Sequence, residues 1–153
     1  MMHDKASEYI GIDAERKRGL MNYYNENCAR FVKPSRRYHI KEGDNWCAMF
    51  TSVIANMCGL SPDQFPYEVS VGEQVKLASH MGIYTANMEL AKPDDLIIFD
   101  WQGVNGWPDH VGFIKEIKNG FITTIEGNYK GTVGGRIIVT WETVDLQKQQ
   151  SPN

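Results

Sequence analysis

The sequence predicts an α+β domain, with helices first and an antiparallel sheet after. Three observations point there. Apolar residues at helical spacing are confined to the first half. Short apolar runs broken by Gly, Asn and Pro fill the second half. The 153 residues, 42% hydrophobic and 23% charged, suit one domain spanning 1–153 with a real core.

The elements follow in order. The first residues, Met1 to Glu8, are polar, and His3 is expected in a mobile terminus. Ile12 to Asn25 carries Leu20, Met21, Tyr23 and Tyr24 between charges, a helical pattern with Gly19 against it. Lys33 to Glu42 is basic, contains Pro34 and reads as a solvated loop. Asp44 or Asn45 can cap the next helix by accepting an orphan N–H. That helix shows Met49, Phe50, Val53, Ile54 and Met57, a wide apolar face, and stops at Gly59. Trp46 reads as a packing residue at its start. Pro62 and Pro66 punctuate a loop, and Val71 to Met81 forms a further helix closed by Gly82. Strands are expected at Asp95–Trp101, His110–Ile117, Phe121–Asn128 and Arg136–Trp141. Loops fall at Gln102–Pro108 and Gly131–Gly135.

Composition excludes several roles. A net charge of -3 gives no electrostatic case for nucleic acid or an anionic membrane surface. No apolar run approaches a membrane span, so no membrane insertion is expected. The polar N-terminus does not read as a secretory signal, which implies synthesis in the cytoplasm. Cys28, Cys47 and Cys58 are an odd set with no Cys-x-x-Cys pair, so neither a structural zinc site nor a thioredoxin-type pair is expected. Cys28 and Cys58 read as small hydrophobes in helices.

Cys47 is different, because it sits at the first turn of a buried helix. The thiolate is the nucleophile, and a free thiol near pKa ~8.5 is mostly protonated at neutral pH. A helix N-terminus favours the anion, and a histidine in reach can take the proton. That histidine needs an acceptor on its other nitrogen. His110 opens one strand, while Glu126 and Asn128 close the next. Whether they meet depends on the turn at Lys118-Asn119-Gly120. A two-residue turn pairs Lys118 with Phe121 and puts His110 and Glu126 on opposite faces. A three-residue turn pairs Ile117 with Phe121, so that His110 faces Asn128 and Gly112 faces Glu126. Only the second register builds a site.

Four blocks carry a resemblance: Asn45-Trp46-Cys47-Ala48-Met49-Phe50, Lys92 to Trp101, Asp109-His110-Val111-Gly112-Phe113 and Thr124-Ile125-Glu126-Gly127-Asn128. In this order they resemble the CHAP domain, the cysteine, histidine-dependent amidohydrolase/peptidase family, over roughly Leu20 to Trp141. The resemblance implies a papain-like α+β fold and cleavage of amide bonds in bacterial peptidoglycan. The bond would be an N-acetylmuramoyl-L-alanine link or a peptide bond of the stem or cross-bridge. Cys47 would be the nucleophile, His110 the base, Glu126 the orienting carboxylate and Asn128 an added polar support. Trp101 and Trp107 flank the loop before His110 and are candidates to line a substrate groove. Some relatives bind calcium through acidic loops. Here the loop before Cys47 is basic, and only Asp100, Asn105 and Asp109 keep oxygens before His110, so no metal or other cofactor is expected beyond a weak calcium site. The wall would be the site of action, in a phage-associated or released form. Two rival readings share the residues: a papain-like hydrolase of protein, and a virion module with a vestigial site.

Overall fold

The computed structural model describes residues 1–100 and 109–139. Four helices come first: α1 (Met2–Ser7), α2 (Ala14–Asn27), α3 (Cys47–Met57) and α4 (Val71–His80). Strands β1 (Leu96–Phe99), β2 (His110–Lys118), β3 (Phe121–Tyr129), β4 (Thr132–Gly134) and β5 (Ile137–Val139) follow. This is the α+β order read from the sequence. Trp101, Trp107, the Gln102–Pro108 loop and Trp141 lie outside the described residues.

Every residue of α3 from Cys47 to Ala55 is buried, which makes it the central helix. Around it one core cluster runs from Ala6 in α1 through Leu20 and Tyr24 in α2 to Phe113, Ile125 and Val133 of the sheet. Asp13 caps α2 by accepting from the Arg16 N–H at 2.9 Å, and Ser70 caps α4 by accepting from Glu73. The expected mobile terminus is instead helix α1. Its cap comes from far along the chain, where the Asp94 carboxylate accepts the Met2 and His3 N–H groups at 3.1 and 2.9 Å. The His3 ring also bonds Asp94, at 2.5 Å. A six-residue helix needs such tertiary support. The basic loop is tied down too. Arg36 grips buried Glu68 with two bonds of 3.1 and 3.0 Å, rather than standing in solvent. Cys28 and Cys58 are helix C-caps, and Cys58 is exposed rather than core.

The sheet is antiparallel in the order β1-β2-β3, with β4 and β5 both against the free edge of β3. β4 falls inside the stretch expected as the Gly131–Gly135 loop.

The β2–β3 hairpin corrects the expected register. Its turn has two residues, with Asn119 and Gly120 at φ 52° and 81°, and Lys118 pairs with Phe121. The three-residue turn is not formed. Further along, the register slips: Glu116 pairs with Thr123, but Ile114 pairs with Thr124. Lys115 is therefore the extra residue of a β-bulge. A slip of one residue reverses which face each side chain occupies. Beyond the bulge Phe113 pairs with Ile125, so Gly112 lies opposite Glu126. The bulge delivers the arrangement that the turn does not.

Candidate active site

Cys47 is the first residue of α3 and is 1% exposed. Its N–H donates to Asn45 Oδ1 at 3.3 Å, and Asn128 Nδ2 donates to the same oxygen at 3.1 Å. The N-cap position is Trp46, which makes no side-chain capping bond, so neither expected cap forms; Asn45 accepts the Cys47 N–H from one residue earlier, while Asp44 is turned back to the Lys41 N–H and the Tyr38 hydroxyl. Trp46 packs edge-on against Phe50 with ring centres 6.4 Å apart, which steers the chain into the helix. Phe50 in turn lies over Gly127, where any side chain would collide with it. That close approach holds the start of α3 against the end of β3.

His110 opens β2 and is 6% exposed. Its Nε2 stands 2.7 Å from Glu126 Oε1, and the Cys47 side chain lies near enough to the ring to influence its protonation. With Nε2 on the carboxylate, Nδ1 is the nitrogen that would serve the thiol. Gly112 makes the His110–Glu126 contact possible. A Cβ at that position would stand 2.5 Å from Glu126 Cγ.

Glu126 is fully buried. An isolated buried carboxylate is costly, so the partners matter. Arg136 donates from Nε to Oε2 at 2.8 Å and from Nη2 to Oε1 at 2.6 Å. The Thr124 hydroxyl donates to Oε2 as well. Burial alone would raise the Glu126 carboxyl, but hydrogen bonds from His110, Arg136 and Thr124 outweigh it and hold it at about 2. Burial pulls the His110 ring down, yet Cys47 and Glu126 beside it push it up to about 9. The imidazolium is therefore the favoured form of the ring at neutral pH.

The structure brings Cys47, His110 and Glu126 together, with His110 hydrogen-bonded to Glu126. Asn128 donates to Asn45 rather than to the ring. It sits at φ 56° and supports Asn45 at the start of α3. Glu126, not Asn128, is the residue on His110. Trp101, Trp107 and Asn105 lie outside the described residues. Asp100 is buried, and the Asp109 N–H donates to the Phe99 carbonyl at 2.8 Å. Among the described residues no three His, Cys, Asp or Glu side chains cluster as a metal site. No described helix is long and apolar enough to cross a membrane.

Sequence reading missed Thr124 and Arg136. Thr124 had a signal, since it lies two residues before Glu126 on the same face of a strand. Arg136 had none, because only the pairing of β3 with the chain near β5 brings it back.

Such an arrangement can deprotonate a thiol, hold the imidazolium against a carboxylate and return the proton to a leaving group. Comparison with protein families gives a match to the CHAP domain over residues 19–128, a span that holds Cys47, His110, Glu126 and Asn128. No curated protein and no solved structure matches the chain.

Proposed function

The chain belongs to the CHAP domain family, whose members are generally cysteine and histidine-dependent amidohydrolases, and we propose that it hydrolyses an amide bond of bacterial peptidoglycan through an acyl-enzyme on Cys47. The observation that carries this reading is the His110 ring, held by Glu126 at 2.7 Å and close enough to Cys47 to be influenced by it.

In the proposed reaction His110 holds the Cys47 proton and the thiolate attacks the substrate carbonyl carbon. The Cys47 N–H would serve as a donor to the developing oxyanion, and its present 3.3 Å bond to Asn45 is long enough to yield. His110 then protonates the departing amine as the carbon–nitrogen bond breaks. A water, deprotonated by His110, attacks the thioester and frees Cys47. Glu126 stays ionised throughout and stabilises the imidazolium. Nothing in these steps calls on a metal or an organic cofactor. Trp101 and Trp107 are assigned to the substrate groove on the strength of their place beside His110 in the sequence. Action at the bacterial wall, in a phage-borne or released form, fits this chemistry. The buried His110–Glu126 pair beside Cys47 supports a working site over a vestigial one.

Digestion of purified cell walls followed by mass spectrometry of the fragments tests the proposal. A new peptide amine with a free sugar-linked lactyl carboxylate marks the muramoyl-alanine bond. A new amine and carboxylate within the peptide mark an endopeptidase. Cys47→Ala should release neither, and release by that folded variant would end the proposal. Cleavage of casein with intact walls left untouched would shift the substrate to protein.

A further inference from the structure

We propose that Arg136, which lies beyond the family match, is a positioning residue that fixes the Glu126 carboxylate in the orientation that holds His110. The inference rests on the reading of Cys47, His110 and Glu126 as a catalytic set.

Glu126 Oε1 has two donors, His110 Nε2 at 2.7 Å and Arg136 Nη2 at 2.6 Å, while Arg136 Nε takes Oε2 at 2.8 Å. The guanidinium spans both oxygens, so the carboxylate cannot rotate without breaking one bond. A lysine, a single point of charge, could not do this. The guanidinium is itself held. Its carbon lies 5.1 Å from the ring centres of both Phe99 and Tyr129. Phe99 also lies against the His110 ring, with centres 5.9 Å apart. The Arg136 backbone is locked to β3: its N–H donates to Thr124 Oγ1 at 3.1 Å, and its carbonyl accepts from the Thr124 N–H at 3.0 Å. Gly135 permits that approach, because a Cβ there would fall 1.8 Å from the Thr124 carbonyl oxygen.

From His110 outward the charges alternate: imidazolium, carboxylate, guanidinium. Loss of Arg136 leaves Glu126 buried with His110 and Thr124 alone. The carboxylate then turns or takes up a proton, and the imidazolium loses its anchor.

The test is the pH dependence of Cys47 alkylation by iodoacetamide in the full chain, read by peptide mass spectrometry. Wild type, Arg136→Gln and Arg136→Lys are compared, with circular dichroism as the measure of folding. We expect the acid limb to move up by about one pH unit in Arg136→Gln, a roughly tenfold slower reaction at pH 6. Arg136→Lys should fall between, at about threefold. On small-molecule amide or wall substrate, kcat should drop with KM little changed. Should Arg136→Gln fail to fold, Arg136→Lys decides alone. Unchanged profiles in folded variants, with a fast wild-type Cys47, would overturn the role of Arg136 and leave the catalytic set standing. A slow wild-type Cys47 would overturn both.

Discussion

Glu126 combines full burial with a charge, a pairing that proteins sustain only where hydrogen bonds replace water. Here His110, Arg136 and Thr124 fill that place. Glu126→Gln keeps the shape and removes the charge, so kcat/KM should fall by about 100- to 10,000-fold with the fold retained. Steady-state kinetics with circular dichroism would check this. The same residues set the pH range of stability. The Glu126 carboxyl drops from 4.5 to about 2 on folding, so its contribution is full above pH 4.5 and is lost as pH falls toward 2. The His110 ring rises from 6.5 to about 9, so its contribution is full below pH 6.5 and is lost as pH climbs through 9. Thermal melts should therefore show a plateau between about pH 4.5 and 6.5 from this pair, with losses on either side. Removal of the pair by His110→Ala with Glu126→Gln should flatten both slopes. The residue types of the set were legible because a thiol, an imidazole and a carboxylate stood at element ends. The guanidinium that balances them was not, since a lone arginine after a glycine pair looks like any strand start.

The hairpin shows how elements place those residues. Asn119-Gly120 is a strong signal for a two-residue turn, and that turn is what forms. On its own it would have set His110 and Glu126 on opposite faces. Lys115 restores the pairing as one extra residue in β2, and no sequence mark distinguishes it from its neighbours. Deletion of Lys115 removes the extra residue but leaves Ile114 opposite Thr124 and Gly112 opposite Glu126, so steady-state kcat/KM should be largely retained. Abolished kcat/KM in that folded variant would refute this account of the register. Helix α1 went unread for a related reason. Its cap, Asp94, lies about ninety residues away, and local pattern carries no trace of it. The buried helix α3 and the capped helix α4, by contrast, were plain from apolar spacing and a closing glycine.

Across the whole molecule, distant ties hold the loops between the helices. Glu68 is 3% exposed and accepts two bonds from Arg36, plus the N–H groups of Val69 and Ser70. Glu68→Ala strands those donors and should cost about 2–4 kcal/mol in denaturant unfolding. A loss under about 0.5 kcal/mol would show Arg36 to be a mere surface charge. The helices-then-sheet order was legible from composition and punctuation along the chain, whereas the placement of β4 and β5 on one edge of β3 was not. The three thiols give the sharpest test of the whole account. Cys58 is exposed, Cys28 is buried with burial pushing its thiol up to about 12, and Cys47 is 1% exposed. Accessibility alone ranks Cys58 first. A thiol paired with His110 reverses that order. Limited iodoacetamide labelling of the native protein at pH 6, mapped by peptide mass spectrometry, should find Cys47 modified at least about tenfold faster than Cys58. Labelling of Cys58 ahead of Cys47 would contradict the account.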